Sequence, residues 1–187
     1  VLKCPSCDGE LMAVADSETK IYRCINNHSF DVAREGYLNL HLAQHKRSKS
    51  PGDSEPMIKS RQRFLNGGYY QPLADAISNT INNCPLSFEQ KLLDIGCGEG
   101  YYLQQLRNIA ERSNANLEVL GLDVSKAGVR LAAKRKLNAL LVVDSAYKIP
   151  LFDHSVDTVL SVFSPISPDE TARVLKTDGY LIMVGPG

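Results

Sequence analysis

Leu92-Leu93-Asp94-Ile95-Gly96-Cys97-Gly98-Glu99-Gly100-Tyr101-Tyr102 is the stretch whose reading decides the fold. Its first four residues read as a short buried strand. The glycines at alternate positions form a turn, and a helix follows through about Arg112. Glycine lets backbone approach a ligand closely, and a helix start offers free N–H groups, so this turn is a candidate ligand site. A dinucleotide phosphate would need G-x-G-x-x-G, with a third glycine at position 101, where Tyr101 stands. The spacing therefore argues against a dinucleotide.

Outward from the turn, strands and helices alternate. Leu117 to Leu122 reads as a second strand. Ser125 can cap a helix through Lys136 whose outer face carries Lys126, Arg130, Lys134 and Arg135. Leu140 to Val143, Val156 to Val162 and Tyr180 to Val184 read as three more strands, with a helix from Pro168 to Leu175 before the last. Upstream, Pro72 suits a first helical turn, and Leu73, Ile77 and Ile81 form one buried stripe. Near-continuous apolar strands alternating with helices predict a doubly wound α/β domain, a parallel sheet covered on both faces.

The chain has 187 residues, 43% hydrophobic and 22% charged, with 21 basic and 21 acidic side chains. That is enough for one good core without staples. No apolar run approaches the roughly 18 residues that span a bilayer, and no signal segment opens the chain, so no membrane role is expected. The start at Val1 and the stop at Gly187 read as those of a fragment. Between Lys46 and Arg63 six basic residues (Lys46, Arg47, Lys49, Lys59, Arg61, Arg63) face only Asp53 and Glu55. Such a run suits a polyanion, because Lys and Arg neutralising phosphates drive nucleic-acid affinity; a solvated loop is the alternative.

Cys4-x2-Cys7, then sixteen residues, then Cys24-x3-His28 supplies two chelating pairs on tight turns, the donor set of a tetrahedral structural Zn(II). Four protein ligands leave no open position, so the expected role is structural. A redox Cys-x-x-Cys would sit at a helix start beside a strand, which this region lacks. His41 and His45 lie outside the spacing and read as surface or RNA-facing. Five cysteines without a signal segment argue against a disulfide framework and for a reducing compartment, hence the cytoplasm. The expected organisation is a zinc-binding module over residues 1–35, a basic connector over 36–68 with Ser48, Ser50, Pro51 and Gly52 marking it flexible, and the α/β domain over 69–187. The zinc module is expected to be separable from cofactor binding.

The D-x-G-x-G-x-G pattern of Asp94, Gly96, Gly98 and Gly100 resembles motif I of class I S-adenosylmethionine-dependent methyltransferases. Asp123, ending the second strand, stands where a carboxylate can accept both ribose hydroxyls. Asp144-Ser145 stands where such enzymes contact the adenine edge. Ile149-Pro150-Leu151-Phe152-Asp153 and Arg173-Val174-Leu175-Lys176 also resemble stretches of that class. Together with the Cys/His pairs, Phe30-Asp31-Val32-Ala33-Arg34-Glu35-Gly36-Tyr37-Leu38-Asn39-Leu40, Gln44-His45-Lys46-Arg47-Ser48 and Pro51-Gly52-Asp53-Ser54, they resemble one family across the whole chain: the bacterial 23S ribosomal RNA guanine-N1 methyltransferases. The resemblance implies a Rossmann-like class I methyltransferase sheet whose C-terminal strands lie beyond this chain. It implies zinc on Cys4, Cys7, Cys24 and His28, and S-adenosylmethionine on Tyr70, Gly98 and Glu99. It implies a zinc module that grips a 23S ribosomal RNA hairpin, and a homodimer.

Guanine N1 carries a proton at neutral pH, so transfer requires its removal and in-line alignment with the methyl group. No residue is assigned as the general base. Phe163, Tyr101 and Tyr102 are candidates for stacking a looped-out base, with core packing as the alternative. Two other functions fit parts of the sequence: a small-molecule methyltransferase with a structural zinc site, and a non-catalytic RNA-binding protein that retains the fold.

Overall fold

The protein was analysed as a computed structural model, which describes residues 2–15, 20–45, 52–84, 89–112 and 116–186. Three short strands, β1 (Met12–Ala15), β2 (Lys20–Arg23) and β3 (Ser29–Asp31), pair antiparallel in that order. After β4 (Tyr37–Asn39) come α1 (Glu55–Asn66) and α2 (Gln71–Asn83), then β5 (Glu89–Ile95), α3 (Tyr101–Arg112), β6 (Asn116–Asp123) and α4 (Lys126–Lys134). β7 (Leu140–Val143), β8 (Val156–Val162), α5 (Pro168–Val174) and β9 (Leu175–Val184) complete the chain. The main sheet runs β4-β7-β6-β5-β8-β9, with every pair parallel. Strand order reverses beside β5, and in open α/β sheets that switch point opens the ligand crevice at the strand C-termini.

The strands alternate their side chains between two cores. Leu92, Val119, Leu141 and Leu160 pack with Ile77 and Ile81 of α2, Leu103 and Leu106 of α3, and Val129 and Ala132 of α4. Leu93, Leu120, Val142 and Val159 face the other side, where Val174 of α5 meets Leu2, Cys4, Leu11 and Cys24 of the N-terminal module. Each such Leu or Val contributes about 1.5–3 kcal/mol on burial. The helices α2 to α4 therefore cover one face, and α5 with the Cys/His module covers much of the other. Leu2 bridges Leu151, and the Lys3 N–H donates to the Pro150 carbonyl at 2.9 Å.

Four expectations are refined. The N-terminal module is packed onto the sheet, its Leu2, Cys4, Leu11 and Cys24 sharing a core with Leu93, Leu120, Val142 and Val159. The basic connector is largely built into the α/β domain. Tyr37–Asn39 adds a sixth strand beside β7, and Glu55–Asn66 is a helix that buries Ile58 and Leu65. The last strand starts at Leu175 rather than Tyr180, since a register shift between Val156 and Thr158 lets the Lys176–Gly179 stretch stay within β9. The capping role of Ser125 holds, its hydroxyl accepting from the Gly128 N–H, but α4 ends at Lys134, with Lys136 in the left-handed region.

Candidate cofactor and metal sites

Two tight knuckles build the metal site. In one, the Asp8 N–H returns to the Cys4 carbonyl at 2.9 Å; in the other, the Asn27 N–H returns to the Cys24 carbonyl at 3.0 Å. Asp8 and Asn27 take left-handed backbone, which these residue types tolerate better than most. The four candidate ligand atoms lie within 4.8 Å of one another. Tetrahedral zinc with ordinary bond lengths separates two sulfurs by about 3.8 Å and sulfur from nitrogen by about 3.5 Å. Here Cys7 Sγ and Cys24 Sγ are 3.7 Å apart, and His28 Nδ1 is 3.6 Å from Cys4 Sγ and 3.5 Å from Cys24 Sγ. The donor set fits the ion. Hydrogen bonds from the Asn26 side chain and the Gly9 N–H bring the Cys7 thiol down to about 6, toward the thiolate that metal binding needs.

The glycine turn lies at the C-terminal end of β5. The N–H groups of Gly96 and Cys97 donate to the Leu122 carbonyl, that of Gly98 to Asp123 Oδ2 at 2.8 Å, and that of Gly100 to the Cys97 carbonyl. With these donors used inside the protein, the turn is no phosphate cradle, in agreement with the spacing argument. Gly96, Gly98 and Gly100 all have positive φ. A Cβ on Gly96 would lie 2.0 Å from the Ser164 hydroxyl oxygen, so the turn and the end of β8 require glycine to meet this closely.

A cavity of about 590 Å³ opens here, over the ends of β5, β6, β7 and β8. Of the residues expected to hold S-adenosylmethionine, Tyr70, Gly96, Gly98, Glu99, Asp123, Asp144 and Ser145 line it. Asp94 and Gly100 are buried behind the turn instead. Asp123 accepts from the Ser125 and Gly98 N–H groups, one per oxygen, leaving lone pairs on both for a diol. Burial raises its pKa. The Glu99 carboxylate accepts from Arg135 and Gln62 through Oε2, while Oε1 is buried without a partner. An orphaned carboxylate oxygen beside the cavity fits the ammonium end of the methionine moiety.

Asp144 accepts from the Ser145 N–H and pairs with His41 Nδ1 at 3.1 Å. His41 is buried, so its reading as a surface or RNA-facing residue is corrected. β4 turns back at Leu40-His41, whose two N–H groups both donate to the Val143 carbonyl, and this sets the imidazole behind the cavity wall. A lone histidine outside any motif gave no sequence signal for this role.

The mouth of the cavity is aromatic. Phe64 and Tyr69 stack with centroids 5.0 Å apart; Tyr70 meets Phe64 edge-on at 5.6 Å and Phe163 at 6.1 Å. Phe64, Tyr69 and Phe163 are 48%, 71% and 52% exposed, which separates them from core packing. Tyr101, by contrast, is buried against Leu65 and Ala74. Phe163 has φ of 53°, a conformation that costs a bulky residue about 1–3 kcal/mol.

The basic run is divided. Lys46, Arg47 and Lys49 lie outside the described residues. Lys59 pairs with Glu55 at 2.9 Å and Arg61 with Asp53 at 2.7 Å, while Arg63 donates to the Ser60 hydroxyl. All three sit on α1, and Arg61 lines the cavity. The helix is tied down by Arg130 to Glu55 at 2.8 Å and by the Ser125 hydroxyl to the Asp53 carbonyl at 3.1 Å.

Comparison with known proteins places these parts. Residues 2–49 match the family described as RlmA, N-terminal, a zinc ribbon, and residues 92–179 match the family described as methyltransferase domain. The 23S rRNA (guanine(748)-N(1))-methyltransferase of Streptomyces fradiae is 34% identical over 99% of this chain and 63% of its own length. A Bacillus subtilis relative, provisionally named as a 23S rRNA (guanine-N(1)-)-methyltransferase, is 33% identical over 100% of this chain and 64% of its own. The chain thus spans a little under two thirds of these curated relatives. Among solved structures, a SAM-dependent methyltransferase from Aquifex aeolicus superposes with a TM-score of 0.56 at 25% identity, covering 71% of this chain and 72% of that one.

Proposed function

We propose that the chain is a member of the 23S rRNA (guanine-N1)-methyltransferase family, which its relatives and the two matched family models support, and that it transfers a methyl group from S-adenosylmethionine to N1 of a guanine in a 23S rRNA hairpin loop. The cavity at the switch point carries this reading. On one wall it joins the glycine turn, the Asp123 carboxylate, the Asp144-Ser145 edge and the orphaned Glu99 oxygen. Bound there, S-adenosylmethionine supplies an electrophilic methyl on a sulfonium sulfur. The protein's part is to orient it: Asp123 for the ribose, Asp144-Ser145 for the adenine edge, Glu99 for the amine, Tyr70 and the glycine turn for the remainder. These residues would hold the sulfonium methyl in line with guanine N1, whose proton would pass to water as the methyl is taken up and S-adenosylhomocysteine is left as product.

Four acids line the cavity, and each is engaged: Asp53 with Arg61, Glu99 with Arg135, Asp123 with two N–H groups, Asp144 with His41. None stands out as the general base. Orientation of a reactive sulfonium against a desolvated base is what these residues provide. Zinc, held by Cys4, Cys7, Cys24 and His28, would fix the module that packs on the sheet face opposite α2 to α4. The basic residues of α1 and of the segment before it are read as phosphate contacts. An rRNA substrate sets the reaction in the cytoplasm, and among the described residues no helix is long and apolar enough to cross a membrane. A homodimer belongs to the same reading.

N1-methylguanine blocks Watson–Crick pairing and stops reverse transcriptase. Primer extension on 23S rRNA from cells lacking the protein should lose a stop at one hairpin-loop guanine, and re-expression should restore it. An unchanged stop pattern refutes the substrate.

A further inference from the structure

The aromatic residues at the cavity mouth exceed what a cofactor site needs. Phe64, Tyr69 and Phe163 are all about half or more exposed, yet they lie in one connected arc through Tyr70. Exposed apolar surface gathered in one place, with charged residues beside it, marks a binding site. Here the charged residues are Lys59, Arg61 and Arg63, on the helix that carries Phe64.

Both ends of the arc are held in place by backbone. At the inner end, Phe163 is fixed in left-handed conformation from three directions. Its N–H donates to the Val184 carbonyl at 2.8 Å, the Ser161 hydroxyl donates to the Ser164 carbonyl at 3.0 Å, and Ser164 fills the space that Gly96 leaves open. Glycine at position 163 would hold the same backbone without strain, so what the phenylalanine adds is its ring. At the outer end, Gly67 and Gly68 make the turn from α1 to α2, and Gly68 has φ of 79°. A Cβ on Gly67 would lie 2.7 Å from Tyr69 Cε2, so the glycine lets the Tyr69 ring lie flat on Phe64.

We propose that this arc is a two-station stacking rail for unpaired RNA bases, in which Phe163 receives the target base at the cavity mouth and the Phe64–Tyr69 pair receives a neighbouring base of the loop. The proposal deepens the rRNA reading and rests on it for the identity of the target. Sequence-tolerant aromatic stacking beside cationic side chains is how unpaired nucleotides are held. Phe163 is the inner station because it follows β8 directly, across from the glycine turn. Tyr69 is the outer station because its ring is the most exposed of the arc.

The test uses the full-length protein, with a 23S rRNA hairpin whose loop carries unpaired guanine and a blunt RNA duplex as control. Phe163→Leu keeps apolar bulk but removes the π-face. It should weaken hairpin binding by about 5- to 150-fold while leaving S-adenosylmethionine affinity within about twofold. Phe163→Tyr should recover most of that loss. Tyr69→Ala, at a site too exposed to threaten the fold, should weaken the hairpin over the same range and leave duplex affinity unchanged. Wild-type hairpin affinity in Phe163→Leu and Tyr69→Ala would overturn the rail. So would an equal loss of S-adenosylmethionine affinity in Phe163→Leu, which would make the ring part of the cofactor wall. If the wild-type enzyme leaves guanine N1 unmethylated, the function is wrong, while these binding arms still decide the rail.

Discussion

Asp94 shows what one residue's surroundings do to a motif. It is fully buried behind the glycine turn, and that burial, with the nearby Asp123 charge second, raises its pKa to about 8. In the unfolded chain the same group titrates near ~3.9. Between those values the folded state holds a proton that the unfolded state releases, so stability falls as pH rises through the window and levels off above about 8. The full excursion is on the order of 5 kcal/mol. Asp94→Asn removes this titration while keeping size and shape. Thermal unfolding from pH 5 to 8.5 should show the wild type losing stability relative to the variant as pH rises. Parallel curves for the two proteins would mean that Asp94 stays ionised in the fold. The sequence showed that an acid belonged there; it could not show that the acid lies behind the turn rather than on the cavity wall.

Elements were legible where their pattern is local. β5, β6, β7 and β8 are apolar runs buried on both faces, and α2 carries a regular inward stripe, so each could be read from its own residues. β4 could not, because Tyr37–Asn39 becomes a strand only by pairing with β7, more than a hundred residues later. α1 was hidden by its own chemistry: Ile58 and Leu65 are its buried residues, and the basic side chains between them read as a linker. The glycine turn and Asp123 were legible because spacing and strand position define them. The His41–Asp144 pair was not, since it joins the ends of two neighbouring strands, β4 and β7, whose residues lie far apart in the sequence. At the same scale, α4 presses on the turn it faces. A Cβ on Gly128 would lie 3.0 Å from the Gly98 carbonyl oxygen. Gly128→Ala gains about 1 kcal/mol of helix propensity but pushes backbone that lines the cavity. The expected outcome is near-neutral stability with S-adenosylmethionine affinity reduced several-fold by calorimetry. Unchanged affinity would show that the turn yields without consequence.

At the scale of the molecule, the zinc ribbon and the sheet share one core, and the expectation is that they melt together. Leu2, Cys4, Leu11 and Cys24 share a core with Leu93, Leu120, Val142 and Val159, and those strands end at the cavity. Two zinc ligands, Cys4 and Cys24, are thus core residues as well as metal donors. Three antiparallel strands of three or four residues bury too little to hold that surface unaided, so the ion supplies what their own packing lacks. Loss of the metal should therefore expose one face of the parallel sheet, in addition to loosening residues 1–35. Chelation, or Cys24→Ser, should lower the melting temperature of the whole protein in a single transition. S-adenosylmethionine affinity should fall with it, because the C-terminal end of β7, which bears Asp144, rests on this core through Val142. Calorimetry on the zinc-depleted protein, followed by zinc readdition, measures both effects. A low-temperature transition confined to the ribbon, with cofactor affinity intact, would restore the separable arrangement that the sequence alone suggested.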